Sequence, residues 1–295
     1  MQNVDKIELY HYLIHQITTM TPMADKQTKK THIKKGVYDK YRLISAVGTG
    51  VHGKVFKVQH REKGTFFSLK QIDKEFTKFH RKELTVLRDL QGCERVLNLV
   101  DFYETVKFSM FICQFCGNGD LFDYMTSRTL SVEESVKITQ GILESLKELH
   151  SKKYVHLDIK PENIGLSDNL TPIIIDLGCA ELCKDDDNLN TISRDVGTAA
   201  YSAPEVTKYK LYSFKTDVWG VGMCLFTMLN NKLPCSLLGS RNNGIPIYED
   251  IDQSIKDMKG FDKRVCDFLF KSLDIKPARR ISIQEFLNDI MLFNK

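Results

Sequence analysis

No apolar run in this chain approaches the roughly 18 residues needed to cross a bilayer. Its opening, MQNVDKIELYHYLIHQ, interrupts every apolar stretch with Asp5, Lys6, Glu8 and His11. A secretory leader needs an unbroken apolar stretch, so an intracellular location, cytoplasmic and/or nuclear, with no membrane partner, is the expectation. Neither sign of charge dominates: 42 basic and 38 acidic residues leave +4, spread along the chain. That balance argues against specific nucleic-acid binding. The one basic cluster, Lys26 to Lys35, reads as a solvated linker, with a local contact or address as the alternative. A disulfide framework is missing too, since the eight cysteines have no regular spacing and read as reduced thiols. Cys113-x-x-Cys116 and Cys179-x3-Cys183 lack the histidine pair that would make them a zinc site. There is no internal repeat, and no low-complexity segment beyond Asp185 to Asp187.

What is present is a 295-residue chain, 42% hydrophobic and 27% charged, long enough for two compact units or one two-lobed domain. Ile7, Tyr10, Ile14 and Ile17 recur at helical spacing over residues 5–20, with docking on the main domain as one reading and regulation as the other. Residues 1–40 are therefore an extension ending in a polar linker. From Tyr41 short β-type runs follow: YRLISAV, KVFKVQH, TFFSLKQI and FSMFICQF. After Gly119 the pattern turns helical. In SVEESVKITQGILESLKELH the positions Val136, Ile138, Ile142, Leu146 and Leu149 lie largely along one face. A strand-rich unit followed by a helix-rich one makes the class α+β, divided here as 41–116 and 117–295.

The strand-rich part opens with a glycine loop of Val47, Gly48, Thr49, Gly50, Val51, His52, Gly53, Lys54 and Val55. Glycines at this spacing let backbone amides approach phosphates closely. A dinucleotide fold would need a helix next, whereas Val55, Phe56 and Val58 continue as a strand, so the loop reads as a hairpin lid. The following strand carries Lys70, and KFHRKELTVLRDL then places Glu83 on the stripe of Leu87. A carboxylate there can hold the lysine against nucleotide phosphates.

GTGVHGKV, Lys70, Glu83, HLDIKPEN, IIIDLG, GTAAYSAPE, DVWGVG and Arg280 in KPARRIS stand in one order. In that order they make the chain resemble the eukaryotic protein kinase superfamily over about residues 41 to 290. GNGDLFDYM further resembles the stretch after the hinge in calcium/calmodulin-kinase-like enzymes. The resemblance implies a two-lobed fold, with a small β-rich N-lobe and a larger α-helical C-lobe, that uses ATP and Mg2+. It implies that Asp158 orients the substrate hydroxyl and accepts its proton, that Lys160 steadies the transferring phosphate, and that Asn163 and Asp176 hold magnesium. Thr198 and Lys160 follow the Ser/Thr pattern. Ser68, Cys113, Gln114, Cys116 and Gly165 would border the adenine, and Glu205 with Arg280 would form a buried structural ion pair. Glu162, with Asp120 and Asp123 nearby, suggests protein substrates carrying a basic residue upstream of the target. A monomer is expected.

Four departures qualify that picture. Leu177 replaces the usual phenylalanine after the metal aspartate and keeps an apolar column of Leu87, Leu99, His156 and Leu177, anchored by Asp217. Ser68 and Gly165 replace apolar contacts with a hydroxyl and an empty space, which predicts a weak or permissive adenine pocket. Cys113, Cys116 and Cys179 would line the pocket as ordinary packing. Leu157 stands where many kinases have an arginine that pairs with a phosphorylated activation-segment residue. Leucine makes no such pair, so activity is expected not to depend strongly on phosphorylation of Thr191, Ser193 or Ser202. The competing classes are a kinase-shaped binding or scaffolding protein and a small-molecule kinase. The first is disfavoured by the presence of Lys70, Asp158 and Asp176, the second by GTAAYSAPE and DVWGVG.

Overall fold

The computed structural model of the chain describes residues 36–50, 53–74, 77–184, 189–231, 251–258 and 260–293. The expected helix over residues 5–20, its linker, the acidic run Asp185 to Asp187, and Val51 with His52 lie outside the described residues.

A short helix, α1 (Val37–Lys40), leads into strands β1 (Tyr41–Gly50), β2 (Gly53–His60), β3 (Phe66–Asp73), β4 (Leu99–Glu104) and β5 (Phe108–Gln114). They form one antiparallel sheet in the order β1-β2-β3-β5-β4. The hairpin reading of the glycine loop holds, with Gly50 opposite Gly53. Side chains alternate across a strand, and β5 uses both faces. Met110 and Ile112 join Val37, Tyr41, Phe56, Val58 and Leu69 in a small core, while Phe111 and Cys113 face the main core. Helix α2 (Thr77–Asp89) lies between β3 and β4 in the chain and buries Val86 and Leu87 in that main core.

Helices then take over: α3 (Leu121–Thr126), α4 (Val132–Ser151), α5 (Pro204–Tyr209), α6 (Phe214–Asn230), α7 (Ile251–Lys256), α8 (Lys263–Ser272) and α9 (Ile283–Phe293). The start of α4 is a capping box: Ser131 Oγ accepts from the Glu134 amide and Glu134 returns the bond to the Ser131 amide. Val136, Ile138, Ile142, Leu146 and Leu149 are all buried, as their spacing predicts. Helix α6 is buried on every side from Thr216 to Met228, the mark of a helix in the middle of a core. Between α4 and α6 run paired two- and three-residue strands: β6 (Tyr154–Val155) with β9 (Glu181–Leu182), β7 (Ile164–Leu166) with β8 (Pro172–Ile174), and β10 (Asn190–Thr191) with β11 (Leu211–Tyr212). A side-chain bond of 2.6 Å from Tyr154 Oη to Asp89 Oδ2 ties the end of α2 to β6. The result is the two-lobed protein kinase fold. No helix among the described residues is long and apolar enough to cross a membrane.

Candidate active site

Lys70 sits mid-strand on β3, opposite Val55 and Phe111, so its ammonium projects from the sheet face that looks towards α2. There Nζ lies 2.7 Å from Glu83 Oε1 and 2.9 Å from Asp176 Oδ1. Burial pulls the Lys70 ammonium towards neutrality, but the charges of Glu83 and Asp176 outweigh it and leave the group more basic than usual. Asp176 is pushed down to about 2, chiefly by the Lys70 charge and against the opposing effect of burial. Its backbone is left-handed, with φ +56°, a conformation that costs a non-glycine residue about 1–3 kcal/mol and tends to mark functional positions.

The loop from His156 to Asn163 is shaped by Asp217 from the first turn of α6. Its carboxylate accepts from the His156 amide at 2.8 Å and the Leu157 amide at 2.9 Å. It is also 2.8 Å from His150 Nε2. His156 Nδ1 accepts from the Asp158 amide at 3.2 Å, so Nε2 carries the proton and donates to Ile175 O at 3.0 Å. The expected column is anchored as predicted: Leu87, His156 and Leu177 are fully buried and Leu99 packs against the same core.

Asp158 Oδ2 is held by Asn163 Nδ2 at 2.9 Å and Lys160 Nζ at 3.1 Å. Lys160 Nζ also donates to Thr198 Oγ1 at 2.6 Å. Asp158 Oδ1 is buried with no hydrogen-bond partner among the described residues. Asp158, Lys160, Asn163, Thr198, Asp176, Lys70 and Glu83 are thus linked through direct contacts in two groups. One is gathered on the Asp158 carboxylate and the other on the Lys70 ammonium. Among the described residues no three His, Cys, Asp or Glu side chains cluster so as to hold a metal by themselves. One carboxylate and one amide fit magnesium, which keeps waters and shares its shell with substrate phosphates.

The adenine side departs from expectation. Gly165 does not leave an empty space: a Cβ there would stand 2.4 Å from Cys116 Sγ, so the thiol fills what the missing side chain vacates. Ser68 Oγ donates to the carbonyls of Cys113 at 3.3 Å and Gln114 at 3.0 Å, satisfying its own polarity within the hinge. Burial pushes the Cys113 thiol up to about 12 and that of Cys116 to about 11. Burial also raises Cys179, and thiols so disposed are packing groups rather than nucleophiles. Gly53 is required by close approach, since a Cβ would meet Gln71 O at 2.1 Å.

Further out, Arg280 makes a two-pronged pair with Glu205, at 2.7 and 3.0 Å, and both side chains are buried. Of the proposed phosphorylation positions, Thr191 and Ser193 are exposed. Ser202 is buried, and its hydroxyl donates to Thr198 O. Asp120 caps α3 by accepting from the Asp123 amide. Glu162 buries an oxygen that finds no partner among the described residues. Sequence reasoning missed His150, Glu181 and Arg194. His150 closes α4 six residues before His156, a weak signal, and the other two are isolated charges with no local pattern.

Residues 41–291 match the family described as "Protein kinase domain". The phosphorylase b kinase gamma catalytic chain, liver/testis isoform, of Bos taurus is 27% identical over 282 residues, covering 86% of this chain and 66% of that protein. The carbon catabolite-derepressing protein kinase of Candida glabrata is 30% identical over 259 residues, 84% of this chain and 41% of that protein. Death-associated protein kinase 2 of Mus musculus is 28% identical over 277 residues, 88% of this chain and 73% of that protein. The chain spans less than two thirds of the length of the first two. Since the family match takes in both the sheet that carries Lys70 and the helical body that carries Asp158, the chain belongs to the protein kinase superfamily.

Proposed function

We propose that the chain is a catalytically competent Ser/Thr protein kinase, transferring the ATP γ-phosphate to serine or threonine hydroxyls of protein substrates. The observation that carries this is the Asp158 carboxylate. One oxygen is fixed by Asn163 and Lys160, and the other is buried with no hydrogen-bond partner among the described residues. A substrate hydroxyl bonded to Oδ1 is oriented for attack on the γ-phosphorus, and its proton passes to that oxygen as the bond to the β-phosphate oxygen breaks. Lys160, bridging Asp158 and Thr198, places a positive charge where the phosphoryl group moves. Lys70, steadied by Glu83, binds the nucleotide phosphates. Asn163 and Asp176 would hold magnesium, which supplies neutralisation of charge on the phosphate oxygens.

The test compares purified wild type with Asp158→Asn on a degenerate peptide library with magnesium and ATP. A loss of roughly 10^2- to 10^4-fold is expected; equal signals would mean a contaminant and favour a binding or scaffolding protein. Glu162 and its neighbour Asp120 support a preference for an upstream basic residue, which a library profile without arginine or lysine enrichment removes. Independence from activation-segment phosphorylation is supported by Leu157, apolar and buried; a large activity loss on phosphatase treatment counts against it. On the sequence grounds above, the same reading takes the enzyme as an intracellular monomer.

A further inference from the structure

With Leu157 buried and apolar, the catalytic loop offers no arginine to a phosphate. Yet in the segment from Asp176 to Glu205 the stretch around Gly197 lies tightly against that loop. A Cβ on Gly197, whose φ is +77°, would stand 2.6 Å from Leu157 O. Some other attraction has to fix the path of the segment.

Three charges outside the catalytic cluster supply it. Glu181 Oε1 lies 2.5 Å from Lys82 Nζ and 3.1 Å from Arg194 Nη2. The Arg194 Nε also reaches that oxygen, at 3.4 Å, and Nη2 donates to Cys179 O at 3.3 Å. The side chains of Lys82, Glu181 and Arg194 are 32%, 25% and 30% exposed, so solvent screens them only in part. Burial makes the Lys82 ammonium easier to deprotonate, and Glu181 opposes that effect.

Their places in the chain give the cluster leverage. Lys82 immediately precedes Glu83, the residue that holds Lys70. Glu181 lies on β9, five residues after Asp176. Arg194 lies four residues before Thr198, the acceptor of the Lys160 hydrogen bond. One carboxylate thus joins the helix that sets Lys70, the strand that follows Asp176, and the approach to Thr198. Its polarity differs from that of a phosphate switch: the anion, Glu181, is a side chain of the segment itself, and its cations come from the same segment, Arg194, and from α2, Lys82.

We propose that Glu181 and Arg194 are positioning residues for phosphoryl transfer, a built-in ion clamp with Lys82 that holds the activation segment in its working path without a phosphate. The proposal rests on the kinase reading above and names what does the work of the missing switch.

The test uses the full chain as wild type, Glu181→Gln, Arg194→Met, Arg194→Lys and the full inversion Lys82→Glu/Glu181→Lys/Arg194→Glu. Peptide phosphorylation kinetics, ATP affinity and amide hydrogen exchange of residues 189–198 are measured on each. Glu181→Gln and Arg194→Met are expected to lower kcat/KM for peptide roughly five- to tenfold, the loss of a partly exposed charge-assisted contact. ATP affinity should change less than about twofold, and exchange in 189–198 should quicken by a similar factor to the activity loss. Arg194→Lys and the full inversion should recover most of both. Wild-type kinetics and exchange in the two charge-removing variants would overturn the clamp, as would an inversion no better than they are. If the wild type transfers no phosphate, the kinase reading fails, and the exchange measurements still decide whether the clamp orders the segment.

Discussion

The sulfur of Cys116 stands 2.4 Å from where a Cβ on Gly165 would be, with Ile175 Cγ2 at 3.2 Å on another side. The glycine makes room for the thiol, and on the kinase reading the thiol would provide apolar surface beneath the adenine. Gly165→Leu should therefore overpack the site and cost about 1–3 kcal/mol, most of it recovered in Cys116→Ala/Gly165→Leu. Cys116→Ala alone should weaken ATP binding by about fivefold, the loss of roughly 1 kcal/mol of apolar contact. Denaturant midpoints and nucleotide titrations check both; a Gly165→Leu chain as stable as wild type would remove the argument.

Burial disfavours the thiolate and pushes the thiols of Cys113 and Cys116 up to about 12 and about 11. The folded chain therefore keeps protons that unfolded thiols release near 8.5. The stabilisation is complete below that value and declines as pH rises from about 9, towards about 11 for Cys116 and about 12 for Cys113. Urea midpoints should fall between pH 8 and pH 10, and the fall should be shallower in Cys113→Ala/Cys116→Ala. Alkylation of Cys116 should accelerate about tenfold per pH unit over the same range.

Arg280 is completely buried against Glu205 and stacks near the Trp219 ring at 5.1 Å. Arg280→Met leaves the Glu205 carboxylate buried with Thr216 Oγ1 as its one remaining side-chain donor among the described residues. A cost of about 3–5 kcal/mol is expected, which in a chain of this size lowers the Tm by roughly 6–20 °C. The Glu205→Gln/Arg280→Met pair should cost less than the sum of its singles; strict additivity would show that the two groups do not depend on each other.

Asp217 accepts from two amides of the catalytic loop and faces His150. Asp217→Asn replaces one accepting oxygen with a donor, so at least one amide loses its partner, at about 1.5–3 kcal/mol for a bond to a charged acceptor. Faster amide exchange at His156 and Leu157, with a fall in kcat, is the expected result. Unchanged protection at both amides would contradict it.

Much of the candidate site was legible because its residues sit in short contiguous motifs: HLDIKPEN carries Asp158, Lys160 and Asn163 within six positions. The fold was legible where periodicity is strong, as along α4. Strand β4 escaped notice because its residues are mostly half-exposed, so no clean alternation marks it. The filling of Gly165 by Cys116 joins positions 49 residues apart and has no local signature. Ser202 looked like an accessible hydroxyl, and only the structure turns it inward onto Thr198 O. Glu181, on a two-residue strand, and Arg194 are single charges with no local pattern, where composition carries no information about partners.

Tyr154 holds Asp89, the last residue of α2, to the helical body. Tethered at that end, the helix behaves as a lever with its fulcrum at Asp89. Glu83 is six residues from the fulcrum, about 9 Å along the axis, while Thr77 at the far end is about 18 Å away. A given swing of α2 about Asp89 thus moves the carboxylate on Lys70 about half as far as it moves Thr77, so the fulcrum trades travel at the far end for precision at the lysine.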